Sequence, residues 1–199
     1  MKLHRVLAVA ALATVVCFAV SVAEEPAHEM SPEEKMMMEK WDAYMTPGEP
    51  HRRMAKAVGD WVFKTRMWHG PGMAPEESTG TARNEMIMDG RYLVQHAEGT
   101  VMGMPFVGHG LTGYDNMKKK YQSLWVDNMG TGVMMSEGTC EGKVCTYYGD
   151  SPDVMQGKYK RVRSVAREVS DDEMVFEMYD TAPDGKEWMN FEIVYKRRK

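Results

Sequence analysis

From Asp60 to the C-terminus, apolar and polar residues alternate in short runs, each closed by a cluster of turn-forming residues. In "DWVFKTRMWH" the positions Trp61, Phe63, Thr65, Met67 and His69 share one side, with Lys64 and Arg66 on the other. That is the period of two expected of a strand with one face toward a core. The same reading applies to "STGTARNEMIM", "RYLVQHAEG", "FVGHGLTGY", "KYQSLWVDNM", "VMMSEGTC", "VCTYYGD", "KYKRVRSVAREV", "MVFEMYDT" and "EWMNFEIVYKR", ten strands in all. Asp89-Gly90 is a strong hairpin signal, and "DNMK" and "PDGK" mark two further turns. With only short connections, neighbouring strands pair antiparallel. A meander of that length with open edges invites aggregation, and closure into a barrel removes the edges. The pattern therefore predicts an all-β fold, an antiparallel meander of about ten strands closed into a barrel.

Ahead of the strands the period changes. "SPEEKMMMEKWDAYM" has Ser31 at the N-cap, Pro32 in the first helical position and Glu34 completing a capping box. Met37, Trp41, Tyr44 and Met45 then form a helical stripe, expected either to plug the barrel or to serve as a docking surface. Pro47 and Pro50 end this helix and begin a shorter one, "PHRRMAKAVG", closed by Gly59. Before both helices, "MKLHR", a 15-residue apolar run and "SVA" have the order of a secretory signal peptide cleaved after Ala23. The apolar run is short of the ~20 residues of a membrane span. Cys17 follows the bulky Val16, which argues against a lipoprotein site. The organisation is thus a signal peptide (1–23), a helical segment (24–58) and a barrel domain (59–199). The expected location is periplasmic or secreted, in a bacterium, with no stable membrane span after cleavage.

Charge narrows the partners. Lys and Arg number 25 against 29 Asp and Glu, a net −4, and loss of Lys2 and Arg5 with the leader takes this to −6. An acidic chain is a poor default partner for nucleic acid or anionic membranes. Cys140 and Cys145 flank a tight turn in "TCEGKVCT". Cross-strand partners at such a turn are within disulfide range, and in an exported protein a bridge is expected.

"Gly59-Asp60-Trp61" at the start of the first strand resembles the Gly-x-Trp of lipocalins and their calycin relatives. In those proteins a basic residue of the last strand covers the Trp, and Arg197 is in phase to do so. A broader resemblance is carried by "MTPGEPH", "GDW", "MGMPFVGHGLTGYDNMKKKY", "WVDNMGTG", "GKYKRVRS" and "FEMYDTAPDGKE". Together these segments resemble the bacterial family known as domain of unknown function 1579. The resemblance implies export and a calycin-like (lipocalin- or fatty-acid-binding-like) barrel. It brings no activity and no catalytic residue.

The strand "YQSLWVD" carries polar groups on both sides, with Tyr121, Ser123, Trp125 and Asp127 sharing one face. Large aromatics seek the interior, so Ser123 and Asp127 would lie inside, where a bare carboxylate is costly. Three readings follow. Ser123 and Asp127 orient a ligand in an otherwise apolar pocket, or they belong to an internal network tying strands together, with Arg161 or Arg163 as partner, or this is a polar face turned to solvent. Arg163 is also the candidate cation for a fatty-acid carboxylate, because the Arg-x-Tyr of intracellular fatty-acid carriers is reversed here as Tyr195-Lys196-Arg197. "MGMPFVGHG" reads as a bent strand and turn, or as a lip over the barrel mouth with Met102, Met104 and Phe106 as apolar contacts.

The 21 methionines suit a pliant apolar lining better than a Cu(I) site, since they are spread along the chain. His28, His51, His69, His96 and His109 show no metal-binding spacing. His96 and His109 lie on neighbouring strands, where a metal or haem is conceivable, but the structural reading is preferred. No nucleophile elbow, phosphate loop or differentiated carboxylate pair is present, and no enzyme or cofactor is expected. The leading expectation is a binder of a small, largely apolar ligand. A filled-barrel interaction module of the cell envelope comes second and a Met-based copper handler third.

Overall fold

The computed structural model describes residues 30–182 and 184–199; the expected signal peptide lies outside the described residues. Two helices, α1 (Pro32–Met45) and α2 (Glu49–Ala55), precede ten strands. These are β1 (Gly59–Met67), β2 (Glu76–Ile87), β3 (Tyr92–Val101), β4 (Met104–Asp115), β5 (Lys120–Asp127), β6 (Met134–Glu141), β7 (Val144–Asp153), β8 (Lys158–Ser170), β9 (Glu173–Thr181) and β10 (Glu187–Arg197). Each strand pairs antiparallel with its neighbours in sequence, and β1 pairs with β10 to close the barrel. The meander is the one the alternation predicts.

One end of the barrel is packed solid. Trp61, Phe63, Ala82, Ala97 and Tyr195 form the buried cluster, and full burial of a large side chain such as Phe63 contributes about 1.5–3 kcal/mol. Trp61 Nε1 and Asn84 Nδ2 both donate to the Ala57 carbonyl at 2.9 Å, satisfying a backbone group left open where α2 ends. Gln95 donates to Asn84 Oδ1 at 3.0 Å and also hydrogen-bonds the Tyr195 hydroxyl. The Arg197 guanidinium lies 4.3 Å from the Trp61 ring centroid and donates to the carbonyls of Val58 at 2.6 Å and Lys56 at 2.8 Å. Gly59, at φ +124°, lets the backbone pass beneath that guanidinium, where a Cβ would sit 2.9 Å from Nη1.

The helices divide the labour differently from the stripe argument. α1 has its capping box, Ser31 N donating to Glu34 Oε2 at 2.8 Å and Glu34 N to Ser31 Oγ at 3.2 Å, yet buries no residue. Trp41 is 56% exposed and Met37 54%, so the stripe does not plug the barrel. The plug is α2. It buries His51 and Met54, sets His51 edge-on to Tyr114, and ties Arg53 to Glu168 at 2.6 Å and to the Gly142 carbonyl at 2.7 Å. Cys140 and Cys145 are register partners at the tight β6–β7 turn and form a disulfide, their Cα atoms 3.9 Å apart.

Candidate functional site

The register decides which side of β5 faces inward. Tyr121 pairs with Tyr114 and Gly138, Ser123 with Thr112 and Ser136, and Trp125 with Gly110 and Met134. Tyr121 is buried and Trp125 packs against the core cluster, so the Tyr121, Ser123, Trp125, Asp127 face is the interior. From the α2 end toward the mouth the wall of β4, β5 and β6 is therefore layered. A tyrosine layer has Tyr114 and Tyr121 edge-on at 4.9 Å. A hydroxyl layer of Thr112, Ser123 and Ser136 follows, with Thr112 Oγ1 donating to Ser123 Oγ at 3.3 Å. An indole layer and then Asp127 complete it. Burial pushes the Tyr121 hydroxyl up and that of Tyr147, on β7 beside Gly138, up to about 12. Both stay neutral hydrogen-bonding groups over the physiological range.

Trp125 has a built seat. Its ring lies over Gly108 and Gly110, where added Cβ atoms would stand 2.3 Å and 3.1 Å from ring carbons. Phe106 is stacked beside it, 6.4 Å between centroids and 14° between planes. The glycines of "MGMPFVGHG" thus make room for an indole. β4 carries no register shift, so no bulge interrupts it, and the turn before it is the tight Met102-Gly103 pair, both at positive φ. The same device recurs where Phe63 covers Gly80 and Tyr147 covers Gly138. An aromatic laid flat over its cross-strand glycine stays against the wall, away from the barrel axis.

Asp127 is already engaged. Its Oδ2 accepts from Trp125 Nε1 at 2.8 Å and its Oδ1 from the Met129 amide at 2.9 Å. Both bonds stay within β5 and the turn that follows it, and neither Arg161 nor Arg163 is the partner. Arg163 sits on the outer wall, stacked 4.0 Å from the Tyr179 centroid and paired with Glu187 at 2.5 Å. Arg161 is likewise outside, near Asp150. Alternation places them there, because buried Val162 and Ser164 occupy the inward positions of β8. The cation in inward phase is Lys160, held by Asp180 with Asp153 at 3.8 Å. Met102 and Met104, expected as ligand contacts, are 60% and 49% exposed at the hairpin tip. Among the described residues thirteen methionines are exposed, so a methionine lining is not the general explanation of their number. Among the described residues no group of three or more His, Cys, Asp or Glu is placed to hold a metal ion.

Sequence reasoning missed Asn84, Gln95, the glycine seat and the Lys160 cluster. Strand phase alone placed Asn84 with Ala82 and Gln95 with Ala97, a usable signal for the first two. Asn190, at the bulge in β10, has a buried side-chain oxygen with no hydrogen-bond partner among the described residues.

A ten-stranded antiparallel meander sealed at one end, with the Gly-x-Trp–Arg arrangement at the seal, defines a calycin-like barrel. The chain belongs to the family described as protein of unknown function DUF1579, whose model matches residues 46–197. The crystal structure of Rv2717c from M. tuberculosis is similar in fold: TM-score 0.53, 12% identity, 77% of this chain and 100% of that chain covered. A redesigned β-barrel, b11L5F_LGL, aligns at TM-score 0.38 with 17% identity over 74% of this chain and 96% of its own. No curated protein matches the chain significantly.

Proposed function

We propose that the protein is an exported carrier that holds a small, largely apolar ligand in the barrel interior. The observation that carries this reading is the contrast between the two halves of the interior. At the α2 end Trp61, Phe63 and Tyr195 are buried, whereas inward-facing Ser123, Trp125, Phe106, Ser136, Phe176 and Ile193 are only half-buried. Barrels of this size either fill with side chains or hold one ligand. Rings seated flat on glycines suit the second outcome, because a ring held against the wall does not cross the interior. Trp125 and Phe106 would be apolar wall, and the Thr112–Ser123–Ser136 layer the polar group that orients the ligand. A fatty-acid carboxylate is disfavoured, since Lys160 is already neutralised by two carboxylates.

The test is native mass spectrometry of protein purified from the envelope of its native host, before and after organic extraction. A discrete adduct lost on extraction, and absent from Ser123→Phe, is expected, with the chain beginning at Glu24. A bare mass combined with failure to take up any apolar fluorescent probe would refute the carrier reading. It would favour an interaction module using the exposed Trp41–Tyr44 stripe of α1.

A further inference from the structure

Directly opposite each other on the outer wall stand His96 of β3 and His109 of β4. Their Nδ1 atoms face one another at 3.4 Å, with ring centroids 4.6 Å apart. His96 Nε2 lies 2.8 Å from Glu98 Oε1. An ionised carboxylate only accepts, so that contact fixes the His96 proton on Nε2 and leaves Nδ1 as a lone pair aimed at His109.

We propose that His96 and His109 form a two-histidine chelate, through both Nδ1 atoms, for a first-row divalent cation that favours imidazole, with Zn2+ as the type case. Two Zn–N bonds of 2.0–2.1 Å spanning 3.4 Å subtend about 110° at the metal, close to the tetrahedral angle. The exposed rings need only a small rotation about χ2 to converge their lone pairs. The proton that His109 presents to His96 without metal moves to the solvent-facing Nε2 of His109, so both ligands stay neutral and no group is lost. Glu98 plays the part of the carboxylate behind a metal-bound histidine, which fixes the tautomer and strengthens the ligand. Opposite His96 on β2 stands Arg83, whose guanidinium is held at 2.7 Å by Glu85. The other neighbours in register are Thr81 and Val107, on either side of Glu98, and Val126, opposite His109. Two protein nitrogens complete half of a tetrahedral shell and leave two positions for water or an external ligand. The site is separate from the barrel interior and does not depend on the carrier reading.

The experiment titrates the full chain with Zn2+ alone, followed by calorimetry and thermal unfolding, and with Co2+, whose visible d–d bands report tetrahedral coordination. The native chain is expected to bind and to gain thermal stability by mass action. His96→Gln and His109→Gln should each lose at least ten-fold in affinity, and Glu98→Gln about ten-fold. His69→Gln, which alters an exposed histidine beside Glu76, should match the native chain. Long-range 15N–1H spectra of the native chain give a reading independent of any variant, with Zn2+ displacing the Nδ1 resonances of both histidines. Failure to bind, equal binding by the His96→Gln/His109→Gln double variant, or displacement of Nε2 in place of Nδ1 would each overturn the proposal.

Discussion

Replacing Gly108 with alanine tests the indole seat directly. The new Cβ would stand 2.3 Å from Trp125 Cζ2, 2.9 Å from Cη2 and 3.1 Å from Phe106 Cζ. Carbon atoms rest at 3.5–4.0 Å, so the indole must retreat by roughly 1.2–1.7 Å. It cannot do so and keep the 2.8 Å bond from Nε1 to Asp127, a bond to a charged acceptor worth about 1.5–3 kcal/mol. Overpacking alone costs about 1–3 kcal/mol. Against this, Gly→Ala stabilises by roughly 0.4–1 kcal/mol by restricting the unfolded chain. The net expectation is a loss of about 2–5 kcal/mol, or a fall in Tm of roughly 4–20 °C for a chain of this length. Gly110→Ala meets the ring at 3.1 Å and 3.3 Å and should cost less than about 1 kcal/mol. Gly130→Ala meets nothing within 4 Å and should be stabilised slightly. The assay is thermal unfolding by circular dichroism on the three variants and on Gly108→Ala/Trp125→Leu, which removes the contested ring. A Gly108→Ala protein that melts with or above the parent, or a penalty undiminished by Trp125→Leu, would refute the seat. Contact between the two sites demands a coupling energy.

Arg197→Lys should lower stability in urea by about 1–3 kcal/mol, because an ammonium cannot both stack on Trp61 and fork to the Val58 and Lys56 carbonyls; an unchanged midpoint would contradict this. Burial holds the His51 imidazole below its usual value; its backbone hydrogen bond with Tyr114 opposes that shift and the Arg91 charge adds to it. The unfolded chain takes up this proton near pH 6.5 and the folded chain only at lower pH. The stability His51 contributes is therefore present above about 6.5 and lost as pH falls through the folded value. An NMR titration of His51 with a midpoint at or above 6.5 would count against its buried role in α2. Reduction of Cys140–Cys145, separated by five positions, should cost about 2 kcal/mol in the chain-entropy model while leaving the barrel folded. A collapse of the fold on reduction would mean that the bridge does more than close a short loop.

What was legible in the sequence follows the reach of each signal. Strand phase is a local property, so all ten strands, the turn at Asp89-Gly90 and the cysteine pair across Gly142 could be read from neighbours alone. The cap of α1 was legible for the same reason, since Ser31 and Glu34 are three residues apart. The helix stripe left plug and docking surface undecided because an apolar stripe states that a face is sticky and does not state what covers it; in the structure it is not the plug. α2, with only His51 and Met54 to bury, makes the weaker pattern and forms the plug. Arg163 was misplaced by reading β8 as a source of cations without applying its alternation. Val162 and Ser164 facing inward send 161 and 163 outward together. The glycine seat needed the register of β4 against β5, which pairs residues 15 positions apart at Gly110 and Trp125. No single-strand period contains that information.

The layering of the interior bears on what a ligand would meet. At the mouth, Asp127 spends its oxygens on Trp125 and Met129, and Lys160 is met by Asp180 and Asp153. Asp127 is thus held by two neutral N–H donors and Lys160 by two carboxylates, and taking Lys160 from that set would leave a carboxylate uncompensated. The hydroxyls of the middle layer are less committed. Ser123 accepts one weak bond at 3.3 Å, and a hydroxyl has a further lone pair and a rotatable proton to offer. A guest with a neutral hydroxyl, amide or carbonyl and an apolar body would find complementary groups without disturbing any ion pair. An anionic guest would have to take Lys160 from its two carboxylates, which makes neutral guests the better choice over anionic ones for a ligand screen.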